Sequence, residues 1–135
     1  MGTWRLNHAK SSFTSPAPKR ETVVIEPAPD GFKFMAKGVD AKDNPTSTTY
    51  TATYNGATAP VTIVGPQAGD YDTISVKRLD DRKAEGFLRK NGRVVQTYSR
   101  VVNRARDMMT ITMTGTNASG GRVVNVAVYD RQPER

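Results

Sequence analysis

Lys83–Lys90 (KAEGFLRK), Asn91-Gly92 and Arg93–Val102 (RVVQTYSRVV) follow one another without interruption. Asn-Gly suits the centre of a two-residue hairpin, because both turn positions there need a positive φ that these residues tolerate. The runs on either side are short and rich in β-branched and aromatic residues, so the three pieces predict a β-hairpin. The flanking sequence repeats the pattern. Tyr71–Leu79 alternates Ile74 and Val76 against Thr73, Ser75 and Lys77 and is broken by Asp80-Asp81. After a turn at Asn103–Asp107, Met108–Thr114 sets Met109, Ile111 and Met113 against three threonines, and Asn117–Gly121 turns the chain into Arg122–Asp130. Two-residue alternation of this kind marks a strand with one face turned to a core.

Further upstream, Glu21–Glu26 and Phe32–Val39 form a second predicted hairpin about Asp30-Gly31. Asp40–Pro45 turns into Thr46–Tyr54, where Tyr50, Ala52 and Tyr54 share a face, and Asn55-Gly56 is read as a turn into Pro60–Val64. Pro66–Asp70 reads as loop. Thr3–Asn7 is a short first strand. The Ser/Pro/Lys-rich stretch from His8 to Arg20 follows it; Pro16 and Pro18 exclude a helix interior, and the stretch is predicted to lie over one end of the fold with Phe13 tucked inward. No helical period appears. About eight to ten short strands with hairpin punctuation predict an all-β fold, a closed or nearly closed antiparallel up-and-down barrel formed by residues 1–135 as one domain. Gly38 and Gly86, inside strands, fit the bends of a curling sheet. A 36% apolar content is modest for a filled core and suits a barrel whose interior is part cavity.

The 135 residues can bury one core but hardly two. There is no apolar run long enough for a membrane helix, and Met1-Gly2-Thr3-Trp4 has no signal-peptide pattern. With no cysteine, disulfides and thiolate chemistry are excluded. The formal charge of +7 is concentrated between Lys77 and Arg106, where ten Lys/Arg face three acids. A solvated face is the simplest account. Nucleic acid is disfavoured, since only Phe87 and Tyr98 interrupt these charges and both lie in strand patterns.

Gly2-Thr3-Trp4 at the first strand resembles the Gly-x-Trp signature of lipocalins and other calycins. The longer string Gly2–Asn7, then Ala9-Lys10-Ser11, resembles a group of poorly characterised bacterial lipocalin-like proteins, in which a Pro-rich lid and a run of hairpins end in an aromatic–acid pair such as Tyr129-Asp130. The resemblance implies that Trp4 closes the barrel floor beneath a basic side chain, with Arg131 the first choice and Arg122 the second. It also implies a periplasmic or secreted protein, the other option being a cytoplasmic one. It does not extend to haem-binding barrels, because the one histidine, His8, stands at the start of the lid.

If the apolar register faces inward, Phe34, Tyr50, Tyr54, Tyr98 and Met113 line the interior, and Arg78 and Arg100 follow on the same faces. An inward arginine is costly unless paired or facing a polar ligand, so an Arg with one or two Tyr hydroxyls predicts recognition of an acidic head group. In the last strand, either Val124, Val126 and Val128 or Asn125, Ala127 and Tyr129 face inward; a polar-lined cavity selects the second set and a dry core the valines. His8 beside Ser11 or Ser12 is weak as a catalytic pair, because adjacency in sequence is not triad geometry. No metal spacing or phosphate loop is present, and no cofactor is expected. The expected function is binding of a small apolar or amphipathic molecule, with or without an anionic head, in the barrel of a monomer or homodimer. The alternative is a hydrolase or an isomerase/cyclase using the same cavity.

Overall fold

Strands that alternate apolar and polar residues can hide one face only by packing against another sheet or by curling until the sheet meets itself. The chain does the second. In the computed structural model, which describes residues 2–14 and 17–133, eleven strands form one antiparallel sheet wound into a nearly closed barrel. The strands are β1 (Gly2–Leu6), β2 (Arg20–Ala28), β3 (Gly31–Val39), β4 (Pro45–Thr53), β5 (Asn55–Pro60), β6 (Thr62–Val64), β7 (Thr73–Asp80), β8 (Lys83–Lys90), β9 (Arg93–Val102), β10 (Met108–Thr116) and β11 (Arg122–Arg131). From β7 to β11 each strand pairs with the next. β11 then pairs with β1, β1 with β2, and the order continues to β4. First strand meets last, with Trp4 opposite Arg131 and Leu6 opposite Tyr129.

The hairpin at Asn91-Gly92 forms as its residues require, with φ of +52° and +81°. Asn55-Gly56 behaves differently. The chain does not double back there. It corners at Tyr54 and continues as β5, which pairs with β7 through a register shift between Asn55 and Thr58. The single strand predicted over Pro60–Val64 is therefore divided: Pro60 ends β5, Val61 donates its N–H to Asp72 O (2.9 Å), and Thr62–Val64 returns to pair with β4. This crossing brings β4 against β5 and β7 and carries the barrel over its seam.

The stretch after β1 opens with a 3-10 turn, His8–Lys10, capped by the Asn7 side chain. It then runs along β11. Ser12 and Val126 exchange two backbone hydrogen bonds of 2.8 and 2.7 Å, and Phe13 packs against the core. Ser15 and Pro16, part of the predicted lid, lie outside the described residues.

Inside the barrel, large side chains stand opposite small ones. On β8 and β9, Ala84 faces Arg100 and Gly86 faces Tyr98, and this complementarity gives the guanidinium and the phenol their space. Gly86 and Gly38 sit where partner backbones come closest: a Cβ on Gly86 would stand 1.7 Å from Ser75 O, and one on Gly38 would stand 2.1 Å from Arg20 O. Trp4, Val23, Phe32, Ile74, Val76, Leu88 and Met109 are fully buried. Gly86→Ala is expected to cost more than the ~1–3 kcal/mol of ordinary overpacking, because the added methyl meets a backbone carbonyl that cannot change rotamer. Urea denaturation, compared with Gly121→Ala where a Cβ meets only the Asn117 side chain at 3.1 Å, measures the difference.

Candidate functional site

The middle of the barrel is occupied. Phe32 meets Tyr50 edge-on (5.7 Å between centroids) and stacks on Tyr54 (5.1 Å), while Phe34 stacks on Tyr50 (4.9 Å). The Arg100 guanidinium carbon lies 4.4 Å from the Phe32 ring centroid. In place of one hollow, the interior holds a cavity toward each end, and the two share no lining residue.

The first cavity, about 70 Å³, lies under the segment that follows β1. Phe34, Tyr50, Tyr98, Met113, Asn125 and Tyr129 line it, together with Phe13 and Pro18. On β11 the buried inward set is Asn125, Ala127 and Tyr129, and Val124 and Val126 face outward, half-buried. Asn125 Oδ1 accepts the N–H of Thr14 (3.1 Å), fastening the overlying segment to the wall. The second cavity, about 220 Å³, lies at the opposite end and takes Tyr54, Arg78 and Arg100, with Trp4 and Arg131 beside them. Tyr54 thus shares a cavity with Arg78 and Arg100, while Tyr50, Tyr98 and Tyr129 line the other. Two residues along a tilted strand are enough to carry Arg100 past the Phe32 stack, away from the cavity that Tyr98 lines. Arg78 lies further out still: it is exposed, stands 5.5 Å from the Tyr54 ring and approaches Asp81 at 3.6 Å.

Glu21, Gln67 and Tyr71 are among the residues of the tyrosine-lined cavity that were not anticipated. Glu21 was legible, since it precedes the buried Val23 and Ile25 by the two-residue period of β2. Tyr71 and Gln67 come from the loop before β7, where no periodicity applies. Tyr129 OH donates a short hydrogen bond to Glu21 Oε1. Burial raises the Glu21 carboxyl above its ordinary value, and the Tyr129 bond only partly opposes this. Burial also pushes Tyr129 well up, reinforced by the charge of Glu21, and pushes Tyr50 well up, reinforced by Tyr98. The hydroxyls of Tyr50 and Tyr98, together with Trp4 Nε1 and Arg100 Nη1, are buried without a hydrogen-bond partner.

Trp4 is 1% exposed, and the Arg131 guanidinium carbon stands 5.4 Å from its ring centroid. Arg122 is exposed near the other end of β11, opposite Thr116. His8 Nε2 lies 2.8 Å from Lys19 O, and Ser11 Oγ is engaged with Asn7 O (2.7 Å) and Val128 N (2.9 Å), so both serve to anchor backbone. Asp70 and Asp72 accept the N–H groups of Ala118 and Asn91. Among the described residues, no group of three His, Asp or Glu side chains could hold a metal ion, and no helix is long and apolar enough to cross a membrane.

These features define a class: a nearly closed antiparallel β-barrel, consistent with a calycin-like fold, with a cavity toward each end. No protein-family model matches the chain, and a search of curated proteins finds no match.

Because the folded Glu21 carboxyl holds its proton to higher pH than an ordinary glutamic acid near 4.5, the native state binds more protons than the unfolded chain in that window. Its contribution to stability is therefore expected to fall as pH rises from about 4.5 through the raised value. Glu21→Gln keeps an acceptor for Tyr129 and removes the titration. The difference in unfolding free energy between the two proteins, followed from pH 4 to 8, should shift in favour of the variant as pH rises.

Proposed function

We propose that residues 1–135 are one lipocalin-like binding domain whose tyrosine-lined cavity takes a small uncharged molecule, or the uncharged end of an amphipathic one. The observation that carries this reading is the pair of buried hydroxyls, Tyr50 and Tyr98, which act on each other but make no hydrogen bond of ordinary geometry. An unpaired buried hydroxyl costs about 1–3 kcal/mol, and a carbonyl or hydroxyl oxygen entering the cavity would satisfy these two. Phe13, Phe34, Ile111 and Met113 supply apolar wall around them. The cavity volume of about 70 Å³ is near half the ~150 Å³ that accepts benzene, so the group that enters has only a few heavy atoms. Glu21 argues against a carboxylate ligand here, since a second acid would be repelled and no arginine lines this cavity.

A second reading, a proton-transfer enzyme of the isomerase class, is favoured by Glu21 itself. A carboxyl with a raised pKa beside hydroxyl donors is the arrangement that removes a proton next to a carbonyl and stabilises the resulting enolate oxygen. With acetone in deuterated water, a catalyst would exchange the α-protons and Glu21→Gln would stop the exchange. A binder would take up the ketone without exchange.

Binding is tested by calorimetric titration with acetone, isopropanol and butanol. Tyr50→Phe with Tyr98→Phe preserves the shape of the cavity and removes both hydroxyls. We expect it to weaken binding by about five- to one-hundredfold, given ~0.5–1.5 kcal/mol for each hydrogen bond. The ligand-free double variant should be at least as stable as the parent, because the groups it loses are unpaired. No binding of any probe, or equal binding by the double variant, would reject the reading.

A further inference from the structure

At the far end of the barrel the second cavity presents a different chemistry. Six cationic side chains line it (Arg78, Arg82, Lys83, Arg100, Arg106 and Arg131) against two aspartates, Asp80 and Asp81. They arrive from separate parts of the chain: the β7–β8 hairpin, β9, the turn after β9 and the end of β11. One of the aspartates is already engaged, since Asp81 pairs with Arg78. Asp80 is occupied in its own turn, where its Oδ1 accepts the Arg82 N–H at 2.7 Å.

Arg100 is the distinctive member. It is 9% exposed. Its Nη2 donates to Tyr54 OH at 3.0 Å, its face rests on Phe32, and its Nη1 has no partner. No carboxylate pairs with it among the described residues, where the ion pairs are Lys19–Asp43 and Arg78–Asp81. A buried guanidinium without a counter-charge is a costly feature. An aromatic face and a phenol offset only part of that cost.

We propose that this cavity is an anion site for the phosphate group of a small phosphomonoester. Arg100 would provide the buried contact, and Arg78, Arg106 and Arg131 would provide charge at the rim. A carboxylate would match the Arg100 fork alone and leave the rim unanswered. A phosphate brings up to two charges and three oxygens, each able to accept from a guanidinium. The volume, about 220 Å³, exceeds several times the ~30 Å³ share of a water molecule, leaving room for an organic group against Tyr54 and the end of Trp4's pocket. The two cavities share no lining residue, so the proposal stands apart from binding in the tyrosine-lined cavity.

Trp4 is the sole tryptophan of the chain and lines this cavity, so its fluorescence reports on occupancy. The full chain is titrated with phenyl phosphate and with inorganic phosphate, using chloride at matched ionic strength as the blank. We expect a saturable change in emission with both phosphates and none with chloride. Tighter binding of phenyl phosphate would assign the site to an organic phosphate, and equal binding to free phosphate. Arg100→Met should weaken binding by about tenfold or more, as loss of a charged hydrogen bond does. Arg106→Asn removes a rim charge while keeping a residue that tolerates the φ of +61° found there. It should weaken binding about two- to fivefold. It also covers the case in which Arg100→Met fails to fold, judged by circular dichroism. Lys33→Ser with Lys37→Ser, exposed positions on β3 outside this cavity, should change nothing. Absence of saturation, unchanged affinity in Arg106→Asn and in folded Arg100→Met, or an equal loss in the β3 variant would overturn the proposal. Binding of acetone by the same protein would be untouched by such a failure.

Discussion

Arg100 lies across the middle of the barrel with its guanidinium against the Phe32 ring and one nitrogen on the Tyr54 hydroxyl. Burial works against the charge, the Tyr54 hydroxyl and the Phe32 face offset part of that cost, and a guanidinium is basic enough to keep its proton regardless. The group therefore stays charged. Much else in the interior follows from accommodating it: Ala84 directly opposite, the Phe32–Tyr50–Tyr54 and Phe34–Tyr50 contacts around it, and the division of what would have been one hollow into two. Replacing it by a carboxylate-paired or apolar residue would remove both the plug and its penalty.

The two ends consequently differ in character. Toward the segment after β1, a carboxyl whose pKa burial raises sits among four tyrosines, Tyr50, Tyr71, Tyr98 and Tyr129. Toward the Trp4 end, the lining is dominated by guanidinium and ammonium groups. Neutral polar chemistry suits the first and anionic chemistry the second. Low dielectric sharpens the contrast, because charges facing a recessed cavity are screened less than those on an open surface.

Closure of the sheet rests on two unlike joints. β1 and β11 are joined by backbone pairing and by the Arg131–Trp4 contact. The segment after the 3-10 turn extends this joint through Ser12–Val126 and the Ser11 and Thr14 side-chain bonds to β11. At the other seam the chain itself crosses, through Tyr54 and Val61, so the edges of β5 and β6 stay short. Short edges offer little template for pairing with another chain.

Alternation along single strands was enough to place Phe34, Tyr50, Tyr98, Arg100 and Ile111 inside, since side-chain direction in a strand is set by a two-residue period and burial must follow it. The hairpin at Asn91-Gly92 was legible for the same local reason. Asn55-Gly56 shows where that logic stops. The dipeptide does hold a positive φ, +86° at Gly56, but a local dihedral does not state which strand comes to lie alongside, and here the chain went on to β7 instead of back to β4. Tyr71, Gln67 and the separation of Arg100 from Tyr98's cavity were likewise invisible. They depend on strand tilt, on a loop without period and on rings from β3 and β4 meeting across the interior. Such contacts join residues distant along the chain, and only packing in three dimensions selects them.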